Sequence, residues 1–102
     1  YNWGSTVAWH SWQGPADIMT ATLRTVGVVA PNKPLFIGET GSTEVGGDKA
    51  QWITDMFSYL ASRPDIRGVV WFNYNKETDW RINSSASAQQ AFASGAANAR
   101  FR

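Results

Sequence analysis

The sequence predicts an α/β fold built on parallel strands, and three observations carry that expectation. Two short apolar runs, Leu35-Phe36-Ile37 and Ile66 to Phe72, show no polar alternation and read as strands covered on both faces. Segments of helical period stand before, between and after them. Hydrophobic residues make up 43% and charged residues 17%, which is globular and far from the composition of a disordered chain.

The elements follow in order. Residues 1 to 14, YNWGSTVAWHSWQG, carry neither period and mix Gly, Ser and Thr with aromatics, so they read as a loop. Pro15 suits a first helical position and Asp17 a first turn, where the helix dipole favours an anion. Met19, Thr22, Leu23 and Val26 then make one mostly apolar stripe, Gly27 is a candidate C-cap, and Pro31 and Pro34 punctuate the connection. The first strand stops at a carboxylate, in Gly38-Glu39-Thr40-Gly41-Ser42.

Gly46-Gly47-Asp48 introduces a second helix, with Asp48 and Gln51 spaced as a capping box and Ile53, Met56, Phe57 and Leu60 as its buried stripe. Pro64 ends it. IRGVVWF, residues 66 to 72, is the second strand, running out into Asn73-Tyr74-Asn75-Lys76. An Ala-rich helix starts near Ser85 or Ser87, with Phe92 on its buried side.

Strands alternating with amphipathic helices imply βαβ units with right-handed crossovers. Two parallel strands alone leave both edges unpaired, so the physics calls for further strands, supplied by more chain or by another copy. The 102 residues therefore read as one partial domain, and the opening on Tyr1 within a Trp- and Gly-rich stretch fits a piece of something longer.

Composition also excludes function classes. The net charge is +1 and the basic residues, scattered from Lys33 to Arg102, form no run, which argues against a nucleic-acid partner. No apolar stretch approaches 18 residues, so no membrane span is expected. Cysteine is absent and His10 is the only histidine, so no metal site or cofactor is expected.

Function in such folds sits on loops at the carboxyl ends of the strands. A carboxylate there beside clustered tryptophans suits sugar chemistry, because a sugar ring packs its C–H face on an aromatic plane while a carboxylate supports an oxocarbenium-like transition state. Spacing alone leaves Glu39 more often a solvated loop residue than a catalytic one.

The stretch KPLFIGETGSTEVGGDKAQWITDMFSYLASRPDIRGVVWFNYNKETDWR, Lys33 to Arg81, resembles the seventh strand through the loop after the eighth strand of family 26 glycoside hydrolases, clan A (β/α)₈ enzymes of the β-mannanase type. YNWG and its downstream Trp pair resemble the segment after that family's sixth strand. The resemblance implies the C-terminal part of a TIM barrel, its last two parallel strands with flanking helices, incomplete by itself. It implies a secreted, retaining, endo-acting hydrolase of a β-linked polysaccharide, with β-1,4-mannan as the leading substrate.

Glu39 would be the nucleophile and Tyr1 the hydroxyl that orients it. Trp71 would be the aromatic platform beneath the attacked sugar, although it also reads as core. Trp9, Trp12 and Trp80 would contact substrate, although clustered tryptophans also pack on one another. Trp52 and Tyr59 read as packing, Asp79 and Arg81 as a pair across the loop, and Glu44 and Glu77 as solvated. The family's acid/base is a Glu at the end of the fourth strand, which this chain lacks, so the chain alone is expected to be inactive. The other readings are a carbohydrate-binding module without catalysis, and a fragment that restores strand pairing by self-association.

Overall fold

The computed structural model describes residues 1–101. The order is helix α1 (Pro15–Val29), strand β1 (Leu35–Thr40), helix α2 (Lys49–Ala61), strand β2 (Ile66–Trp71) and helix α3 (Ala86–Ala96), followed by a short 3₁₀ turn, Ala99–Phe101. The two strands pair in parallel, so the chain is a small α/β unit of two strands and three helices.

Local chemistry sets the helix boundaries. Asp17 accepts from the Gly14 backbone N–H at 3.2 Å ahead of Pro15, which needs no donor partner. The helix runs through Gly27 to Val29, so Gly27 is not the C-cap. The stop falls at Ala30, because the ring of Pro31 disfavours helical geometry in the residue before it. The α1 stripe narrows to Met19 and Leu23, whereas Thr22 is exposed and Val26 half-buried.

Asp48 caps α2 by accepting from Gln51 N at 3.0 Å, but the Gln51 amide turns forward to Asp55 at 2.8 Å, so only half of the capping box forms. Ser85 rather than Ser87 caps α3, accepting from Ala88 N at 3.1 Å.

The core lies between the helices and one face of the sheet. Trp52, Ile53, Met56, Phe57 and Leu60 of α2 meet Ile66, Ala88, Met19 and Leu23 there, with Leu35, Ile37, Val69 and Trp71 packed against them. A Cβ on Gly95 would collide with the Phe57 ring, so α3 approaches α2 this closely only at glycine.

The other face of the sheet is open: Phe36 is 71% exposed and Val70 58%. The expectation of strands buried on both faces therefore holds for one face only, because two strands and their crossover helix supply a cover on one side. The register slips between Leu35 and Phe36 and again between Ile37 and Thr40, and the second irregularity falls at Gly38-Glu39.

On the side of β1 away from β2, Asn2 makes an isolated parallel bridge to Ser42. Asn2 N donates to Gly41 O at 2.9 Å and Thr43 N to Asn2 O at 3.1 Å. The aromatic opening segment is thus a loop whose start lies against the strand end. Among the described residues no helix is long and apolar enough to cross a membrane.

Candidate active site

Glu39 is the penultimate residue of β1, and its exposed carboxylate lies in a cavity of about 240 Å³ at the carboxyl end of the sheet. Tyr1, Trp3, Phe72, Lys76, Glu77 and Trp80 complete the lining. Two strand ends and the opening loop converge there because the bridge at Asn2 pins the loop beside β1. The buried Asn2 carboxamide secures that loop further: its Oδ1 accepts from Gly4 N and Gln13 N, and its Nδ2 donates to Ser42 Oγ at 2.9 Å.

The Tyr1 hydroxyl donates to Glu39 Oε2 at 2.6 Å, the length of a charge-assisted bond. Burial, followed by the bond to Glu39 and the nearby negative charge, pushes the Tyr1 phenol up to about 12. It is therefore a neutral donor throughout the ordinary pH range. The Tyr1 ring is held edge-on by Trp80 at 5.1 Å and by Phe72 at 5.8 Å. Trp3 meets Trp80 edge-on at 4.9 Å and stacks on exposed His10 at 5.6 Å, so the cavity is walled by four aromatic rings.

Trp71 is not one of them. Along β2 the side chains alternate, so Val69 and Trp71 face the helices while Phe72 turns to the cavity. The Trp71 ring packs edge-on against Trp52 and Phe92, and its Nε1 donates to Trp80 O at 2.7 Å. Trp71, the expected platform, is thus placed outside the lining of this cavity, where Phe72 and Trp80 stand.

Trp80 is 1% exposed, so it forms the back wall of the cavity rather than an open shelf. Trp12 is half-buried, packs against the core cluster and lies outside the cavity lining. Trp9 is 82% exposed and lies outside the cavity lining.

Glu77 lines the cavity beside Lys76, 3.2 Å away. Its carboxyl sits below the usual range because its own backbone N–H donates to it, with added help from Lys76 and Trp80. Asp79 and Arg81 pair through two bonds, at 2.8 and 2.9 Å. Glu44 is not merely solvated, since it is half-buried and accepts from Ser84 Oγ at 2.7 Å. Trp52 is a core residue whose Nε1 donates to Gln13 O at 2.8 Å, and half-buried Tyr59 packs on the same core.

Sequence reasoning missed Trp3 and Phe72. The Trp-Gly pair at Trp3-Gly4 was a usable signal: Gly4 has φ +55°, and a Cβ there would collide with Val45 O, so only glycine allows the bend that turns Trp3 over the site.

The fold and site together define a parallel α/β unit with a hydrogen-bonded carboxylate inside an aromatic cage at its strand ends. No family model matches the chain. Over 94 residues, 90% of this chain, the sequence is 43% identical to Endoglucanase H of Acetivibrio thermocellus, and it spans 10% of the length of that curated relative.

Proposed function

We propose that the Glu39 cavity is part of a retaining, endo-acting hydrolase of β-linked polysaccharide. The observation that carries this reading is the 2.6 Å bond from Tyr1 to Glu39 inside a cage of aromatic rings. The hydroxyl engages Oε2 and leaves Oε1 for the anomeric carbon. Glu39 would attack that carbon as the glycosidic bond breaks, forming a glycosyl ester that water then cleaves. The rings of Trp3 and Phe72 suit the apolar side of a pyranose, with Trp80 as the wall behind them. Similarity to a protein named as an endoglucanase supports a β-glucan backbone, and the family 26 resemblance supports β-mannan.

The leaving oxygen needs a proton from a second carboxyl about 5 to 5.5 Å from the first. Glu77 is the other carboxylate lining the cavity, but it lies below the usual carboxyl range and so is ionised near neutrality, suited to accept hydrogen bonds from sugar hydroxyls. The acid/base is therefore assigned to polypeptide outside these 102 residues. A (β/α)₈ barrel would supply it; the parallel pairing, the open sheet face with Phe36 and Val70, and the Asn2–Ser42 bridge support that architecture. A secreted location goes with the same reading.

The test is a calorimetric and fluorescence titration of the 102-residue chain with cellohexaose, a mixed-linkage glucan hexasaccharide and mannohexaose. At least one should bind and change tryptophan emission, without steady release of reducing ends. Silence from all three would overturn the sugar reading. Sustained turnover would overturn the assignment of the acid/base to other polypeptide.

In a polypeptide that carries the whole cleft, Tyr1→Phe should lower kcat/KM by roughly 10- to 100-fold, the value of one hydrogen bond to a charged group. Unaltered kcat/KM would remove Tyr1 from the site.

A further inference from the structure

Lys49, in the first turn of α2, is 1% exposed, and its burial lies outside everything the sugar site requires directly. A lysine this buried needs partners for three N–H groups. It has them: Nζ donates to Arg81 O at 2.7 Å, to Ser84 Oγ at 2.7 Å and to Asp79 O at 3.2 Å. Ser84 Oγ spends its own proton on Glu44 Oε1, so it can only accept from Lys49. Three acceptors therefore meet three donors, which is the inventory of an ammonium and not of a neutral amine.

Two of those acceptors are the carbonyls on either side of Trp80. The carbonyl of Trp80 itself is taken by the indole N–H of Trp71, and the Lys49 ammonium lies over that Trp71 ring, 5.7 Å from its centroid. Three consecutive carbonyls, 79 to 81, are thus held from the helix side. On the opposite side the Trp80 ring touches Tyr1 and Trp3 in the Glu39 cavity.

We propose that Lys49 is a positioning residue for the Glu39 site, its ammonium fixing the loop after β2 so that Trp80 stands as the back wall behind Tyr1 and Glu39. The importance of that wall to sugar binding rests on the function proposed above, whereas the clamp itself does not. Lys49 reaches no cavity atom, so its effect travels through the Trp80 backbone.

The charged groups that face Lys49 are Glu44 from the β1–α2 connection and Asp79 and Arg81 from the loop after β2. Burial outweighs the two carboxylates and brings the ammonium down to about 8. Below that pH all three bonds stand. Above it the amine has two donors for three acceptors, and one contact to the loop is lost.

The experiment is a pH series from 6.5 to 10 on the ¹⁵N-labelled 102-residue chain, following indole and amide N–H signals. The Trp71 indole, bonded to Trp80 O, should shift with a midpoint near 8, while the Trp52 indole, bonded to Gln13 O, stays in place. Lys49→Met should abolish the Trp71 transition and speed amide exchange at Trp80, Ile82 and Ser84 by roughly tenfold or more relative to Ile53 to Leu60. Ser84→Ala, a milder change, should give a smaller acceleration at the same amides.

A Trp52 shift equal to that of Trp71, or loop amides in Ser84→Ala and Lys49→Met that exchange as in the parent, would overturn the proposal. Should Lys49→Met fail to fold, the parent titration and Ser84→Ala decide alone. The hexasaccharide titrations are read separately: a loop that loosens in a chain that binds no sugar leaves the clamp standing and removes the sugar reading.

Discussion

Replacing Glu39 by alanine in a polypeptide that supplies the whole cleft should lower turnover of β-glucan and β-mannan by on the order of 10⁴-fold, because a nucleophile that forms a covalent intermediate has no substitute among its neighbours. Tyr1 can donate a hydrogen bond but is held neutral, with its phenol near 12, so it cannot take over the attack. Glu77 is in the same cavity, but it sits in the loop after β2 rather than at the end of β1 and is already engaged by Lys76. The vacated space behind the anomeric carbon should admit azide. Retained activity in Glu39→Ala would end the proposal, and so would an azide product with the anomeric configuration of the substrate, since direct attack by azide inverts it.

The largest expected loss of stability is at Trp52→Ala. Trp52 is 2% exposed, packs edge-on against Trp71 at 5.8 Å and donates its Nε1 to Gln13 O at 2.8 Å. Truncation removes the ring, leaves a void between α2 and β2, and deprives Gln13 O of its donor. The cost should be about 3–5 kcal/mol, a large part of the total that holds a small domain together. Urea unfolding followed by circular dichroism measures it. Trp52→Phe restores a ring without the donor and should cost much less, about 1–2 kcal/mol. Equal costs for the two substitutions would show that the hydrogen bond and not the packing dominates.

How much of this was legible in the residues depended on range. The second helix was readable throughout, because Ile53, Met56, Phe57 and Leu60 repeat at helical spacing and all four are buried. Both strands and the N-terminal caps at Asp48 and Ser85 were equally local. The end of α1 was misread because Gly27 permits a stop without enforcing one, whereas Pro31 enforces it through its steric demand on Ala30.

At the site, Glu39 stood out because it closes an apolar run, but the roles of the tryptophans did not follow from composition. Which face Trp71 takes depends on pairing with β1 and on contacts with Trp52 and Phe92. Trp80 is buried by Tyr1 and Trp3, almost eighty positions earlier in the chain. Lys49 was invisible for the same reason: a lysine in a first helical turn looks like an ordinary solvated residue until carbonyls 30 and 32 positions away fold over it.

The uncovered side of the β1–β2 ribbon has a practical corollary. Rings and branched aliphatics at Phe36 and Val70 stand in water on a ribbon of only two strands, which is the surface that zips onto its own kind. Solutions of the polypeptide by itself should therefore be kept dilute, and turbidity that grows with concentration would report this strip rather than any fault in the helical layer behind it.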